Sequence, residues 1–205
     1  LHAASIDAAC KTHIFFAAHH VAVTSFRRQE MNWMNELGGI LQQYSGTGAA
    51  QAPDTVDDDF DQTAQAVPRG ALADGLSAAF RSDQTPDFGQ MVAGLFGQSN
   101  GQQRAGILNT LISTLGPTIA AQLFARKGLS GLAGLLGGGQ TEVTPEQAEQ
   151  VSPEDVQDIA AHAEKHDPSI IDMASNFYAE HPTLVKSLGG AALAIALAKI
   201  VDSNS

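Results

Sequence analysis

Cysteine is nearly missing from this 205-residue chain. With Cys10 alone, neither an intramolecular disulfide nor a cysteine-based zinc site can form, which suits a reducing, cytoplasmic setting. Cys10 does not fit a lipid anchor either, because Asp7 stands where an aliphatic residue would precede it. Aromatic residues make up only 6%, with Trp33 the single tryptophan, so Ala, Leu, Ile and Gly must fill the core. Positive charge is scarce: 11 Lys and Arg stand against 22 Asp and Glu, a formal net charge of −11. Basic residues cluster no further than pairs, which argues against nucleic-acid partners and against an anionic membrane surface. Long apolar runs are also missing. The uncharged stretch Ser187–Ala198 is twelve residues, where a spanning helix needs about 20.

Motifs for known chemistry are equally sparse. No Gly-Lys-Ser or Gly-Lys-Thr of a nucleotide loop occurs. The nearest approach to a Gly-x-Ser-x-Gly nucleophile is Ser130, where Leu132 replaces the second glycine. Asp57, Asp59 and Asp61 alternate like calcium-loop acids, but the loop glycine and the closing Glu are missing. The one metal-ligand spacing is His162 and His166, four apart on one helical face. Ala163 stands where a metalloprotease has its general base, so binding through a third ligand from Asp167, Glu180 or His181 is the only metal chemistry the spacing admits. No cofactor and no catalytic residue is expected.

What is present is helical periodicity and dense punctuation by 20 glycines and eight prolines. The first methionine is Met31, and residues 1–30 put their basic pair Arg27–Arg28 after the apolar patch, the reverse of a secretory signal. Residues 1–30 are expected to be a non-native or over-extended leader. Residues 31–44 predict a short amphipathic helix with Trp33, Leu37, Ile40, Leu41 and Tyr44 at helical spacing. Residues 45–67, with five Asp between Asp54 and Asp61, predict a flexible acidic linker.

From Pro68 to Val201 the pattern is continuously helical. Apolar stripes predict helices over 68–81 (Leu72, Leu76, Phe80), from Pro86 (Phe88, Val92, Leu95, Phe96), over 102–115 and over 118–127. Thr85, Thr144 and Ser152 read as caps, each followed by Pro at the first helical position. Helices at 153–166, 168–180 and 182–201 follow a short turn near 145–150. Residues 182–201 are apolar on nearly every side and predict a helix buried in the protein. GLSGLAGLLGGG, residues 128–139, reads either as a helix with a glycine face or as a glycine-rich hinge.

MNELGGILQQYSG (34–46), the glycine-leucine stretch 128–139 and TPEQAEQVSPEDVQDIA (144–160) together resemble the YidB-like proteins, a functionally uncharacterised bacterial group. The resemblance covers about a third of the chain; the acidic stretch and the long apolar last helix depart from it. It implies a bacterial, mostly helical protein and carries over no functional residue.

The expectation is thus an all-α bundle of six to eight short helices around a buried apolar C-terminal helix. The function that fits is non-enzymatic protein–protein interaction or self-assembly. Its candidate contacts are Trp33, Leu37 and Leu41 on the tethered helix and Gly190, Ala194 and Ala198, four apart on the last helix. The alternative is a metal- or small-ligand-binding helical domain using His162 and His166.

Overall fold

The computed structural model describes residues 37–40, 42–44 and 52–203. The chain divides into two units, Leu1–Gly39 and Ile40–Ser205, and the helices labelled here all lie in the second. They are α1 (Val56–Ala66), α2 (Arg69–Phe80), α3 (Phe88–Gln98), α4 (Gly101–Leu115), α5 (Pro117–Arg126) and α6 (Ser130–Gly137). After them come α7 (Pro145–Ala148), α8 (Pro153–His166), α9 (Ile170–Ala179), α10 (Pro182–Val185) and α11 (Gly190–Ser203). The described residues contain no strand. The protein is an all-α bundle.

The predicted stripes are the buried ones. Leu72, Leu76 and Phe80 line α2, Val92, Leu95 and Phe96 line α3, and Leu108, Leu111 and Ile112 line α4. Each fully buried Leu or Ile stabilises the fold by roughly 1.5–3 kcal/mol relative to exposure. The caps at Thr144 and Ser152 form as expected, accepting from the amides of Gln147 and Asp155. Thr85 does not cap. Its hydroxyl donates to the carbonyls of Ala79 and Ser82, closing the α2–α3 turn, and α3 starts after Asp87 instead.

Small residues set the helix crossings. A Cβ on Gly75 of α2 would lie 2.7 Å from the Ala196 carbonyl oxygen of α11. One on Gly89 of α3 would lie 2.7 Å from the Gln157 carbonyl oxygen of α8. On Gly106 of α4 it would come within 2.5 Å of the Phe177 ring of α9. With few aromatic residues to fill gaps, the helices instead approach closely at glycine, backbone to backbone at Gly75 and Gly89 and backbone to side chain at Gly106. Where aromatic residues do occur they cluster: Phe80 meets Phe88 edge-on at 5.6 Å, and Tyr178 packs on Phe80 and Phe177 at 6.0 and 5.4 Å.

Two expectations need correction. The expected linker 45–67 is helical over Val56–Ala66; residues 45–51 lie outside the described residues. Val56, Phe60 and Thr63 are buried at helical spacing, and two apolar anchors one turn apart suffice to seat the segment. Asp57, Asp58 and Asp59 occupy the first turn of α1, where the positive end of the helix dipole favours carboxylates. The aspartates that read as solvated linker are thus helix-start residues.

The expected single helix 182–201 is broken. α10 runs into a 3-10 turn, Lys186–Leu188, and Gly189 at φ +86° redirects the chain before α11 begins. Lys186 in that turn is ion-paired with Asp61 of α1, so the charge that interrupted the apolar run lies outside the buried helix. α11 itself buries Leu193, Ala194, Ala196, Leu197 and Ile200, and packs on α2 and α1.

Candidate functional site

The sequence singled out three sets of residues. Of the tethered helix, Leu37 is buried, while Trp33 and Leu41 lie outside the described residues. Tyr44 is fully buried, and its hydroxyl donates to Asp59 Oδ2 at 2.7 Å. Gln43 Nε2 and Thr55 Oγ1 donate to the same oxygen at 2.7 and 2.9 Å. Burial, with the Asp59 carboxylate beside it, pushes the Tyr44 hydroxyl well above its ordinary value, so it remains a donor. Asp59 therefore ties residues 43 and 44 onto the start of α1.

The second set, Gly190, Ala194 and Ala198, faces inward more than outward. Gly190 abuts Ala52 and Val56, where an added Cβ would lie 3.3 Å from each, and Ala194 is 1% exposed. Gly190 and Ala198 are half-buried. This small-residue face serves the packing of α11 within the chain.

The third set, His162 and His166, sits exposed on α8. The residues expected to complete a metal site are engaged elsewhere. Asp167 accepts from the Ser169 amide at 3.0 Å, which holds its carboxyl below the usual range. Glu180 pairs with Arg69 at 3.7 Å, and His181 lies against Phe177 at 4.8 Å between ring centres. No group of three or more metal-ligating side chains occurs among the described residues.

Spacing alone did not mark out the surface that is most open. In α6, which packs chiefly on α5, Leu132 and Leu136 are buried, but Leu135 is 39% exposed. Gly131, Gly134 and Gly137 have no neighbour within 4 Å of where a Cβ would stand. This contrasts with Gly75, Gly89 and Gly106, each of which admits another helix. Gly134, inside α6, costs about 1 kcal/mol of helix stability against alanine, and no described residue comes near the Cβ position of any of the three α6 glycines. The stretch is a helix at its centre, bounded by glycines with positive φ, Gly128 at +78° and Gly139 at +100°, but among the described residues no other helix packs on its glycine face. Charge is sparse here too. Between Arg104 and Glu142 only Arg126 and Lys127 are charged, so an otherwise acidic chain presents a nearly neutral face.

A second feature is a cleft of about 500 Å3 between the α2–α3 turn and α8. Arg81, Asp83 and Asp87 line one side and Gln157, Glu164 and Lys165 the other. Its one strongly held cation is already satisfied: Arg81 Nη1 donates to Asp172 Oδ1 at 2.8 Å and is also hydrogen-bonded to Ser77. Among the described residues no single helix is long and apolar enough to cross a membrane; α4 and α5 together reach that length and composition but meet at a 116° bend. Compared with protein-family models, curated proteins and solved structures, the chain has no significant match.

Proposed function

We propose that this chain is a non-enzymatic, cytoplasmic helical protein that mediates protein–protein interaction or self-assembly, with the outer face of α6 as its contact surface. The observation that carries the reading is the open glycine face of α6 beside exposed Leu135. Gly75, Gly89 and Gly106 each admit a neighbouring helix, whereas three successive glycines of α6 leave that space open among the described residues. The near neutrality of residues 105–141 supports it further, since a partner meets little charge to desolvate there. The YidB-like resemblance adds a bacterial origin to this proposal.

The test is light scattering coupled to size exclusion over a range of concentrations, on the full chain and on Leu135→Glu. The full chain is expected to gain mass with concentration, or to do so with a partner present. Leu135→Glu should abolish the gain while thermal stability stays within about 0.5 kcal/mol, as for an exposed substitution. Unchanged association in Leu135→Glu would remove α6 as the surface.

A further inference from the structure

The α5–α6 hairpin is joined to the rest of the bundle differently from every other helix pair. The chain enters it through Gly116 at φ +77° and leaves through Gly139 at φ +100°, and nothing lies within 4 Å of the Cβ position of either. Both connections are therefore glycines with open space on the Cβ side among the described residues, the residue type with the widest backbone freedom.

Inside, the hairpin is self-contained. α5 and α6 pack chiefly on each other, with Phe124, Leu132 and Leu136 buried. The turn between them closes through the Leu129 amide on the Phe124 carbonyl at 2.9 Å and the Gly128 amide on the Ala125 carbonyl at 3.2 Å, a Schellman-type ending that needs positive φ at Gly128. Outside, its attachments are few. α5 rests on α4. At the far tip, Lys127 is ion-paired with Asp158 of α8 and lies 3.9 Å from Asp155 of the same helix. A segment with few external contacts, held at its end by one half-exposed cation, belongs to the low-stability end of a fold and opens as a unit.

We propose that the α5–α6 hairpin is a strap that swings open as one body about Gly116 and Gly139, fastened in its closed position by Lys127 on Asp155 and Asp158. Opening uncovers the part of α4 on which α5 rests, a surface the closed form hides. The strap stands on hinges and latch alone and does not depend on α6 binding a partner.

Hydrogen exchange followed by mass spectrometry on the full chain tests it, comparing wild type, Lys127→Gln and Lys127→Arg. Peptides of α5 and α6 are expected to exchange together and faster than those of α2 and α11. Lys127→Gln should speed the hairpin alone by about two- to fivefold, the range an exposed ion pair supports, and 0.5 M salt should shift wild type in the same direction. Lys127→Arg should restore the slower rate. Hairpin exchange at the pace of α2 and α11 overturns the strap. A Lys127→Gln effect that is absent, or spread over the whole chain, overturns the latch.

Discussion

Two buried hydroxyls, Tyr178 Oη and Thr63 Oγ1, have no hydrogen-bond partner among the described residues. A buried, unsatisfied polar group costs about 1–3 kcal/mol. Burial also pushes the Tyr178 hydroxyl far above its ordinary value, so it stays protonated throughout the accessible range. Tyr178→Phe keeps the ring against Phe80 and Phe177 and removes only the stranded oxygen. It should raise stability by about 1 kcal/mol, read as a higher urea midpoint with an unchanged slope. A loss of stability would mean that the hydroxyl is satisfied after all. Asp172 behaves in the opposite way. The Arg81 guanidinium, and then the Ser77 hydroxyl, hold its carboxyl below the ordinary value of 3.8. A depressed carboxyl contributes stability that is complete above that ordinary value and is lost as pH falls through the lower, folded one. The unfolding midpoints of wild type and Asp172→Asn should therefore differ at pH 7 and converge below about pH 3.8. Parallel curves down to pH 2 would rule out the linkage.

At the scale of elements, crossing distances matter more than helix propensity. Ordinarily Gly→Ala strengthens a helix interior by about 1 kcal/mol. At Gly75 the added Cβ meets backbone, the Ala196 carbonyl oxygen at 2.7 Å, with Ile200 side-chain atoms at 3.0 and 3.2 Å. The α2–α11 pair must separate to admit it. Gly75→Ala is expected to cost about 1–3 kcal/mol, the range for overpacking, seen as a fall of several degrees in the melting temperature. Gly106→Ala meets a ring edge that can turn aside, so a smaller loss there provides the internal comparison. A Gly75→Ala chain as stable as wild type would mean that α2 and α11 are less closely apposed than this geometry requires. α1 teaches the same lesson from the other side. Its composition reads as linker, yet Val56 and Phe60 bury and Asp59 collects three donors, and tertiary context outweighs polarity.

At the scale of the whole molecule, the bundle divides into a tightly crossed part and a loosely attached one. α2, α3, α4, α8, α9 and α11 interlock through glycine crossings and the Phe80–Phe88–Tyr178 cluster. The α5–α6 hairpin lies between Gly116 and Gly139, both at positive φ. The Leu135→Glu and Lys127→Gln experiments separate its two faces. A loss of association with unchanged exchange concerns the outer face of α6. Faster hairpin exchange with unchanged association concerns the latch. Neither outcome can stand in for the other.

Periodicity in the chain determined which faces are buried, because a stripe at i, i+4 can only face one way and water drives it inward: Leu72, Leu76 and Phe80 show this directly. Punctuation determined most helix starts, since Thr144 and Ser152 satisfy amides that a new helix leaves unpaired. The all-α class followed from both. Only the tertiary structure decided which small residues are crossings and which are open. Gly75 and Gly134 are alike as residues, and the difference between them is a carbonyl of a helix some 120 residues away in sequence. It also decided that no third ligand joins His162 and His166 among the described residues, where Asp167, Glu180 and His181 meet Ser169, Arg69 and Phe177. Contacts between distant elements leave no local pattern, and a site made of them becomes visible only when the chain is folded.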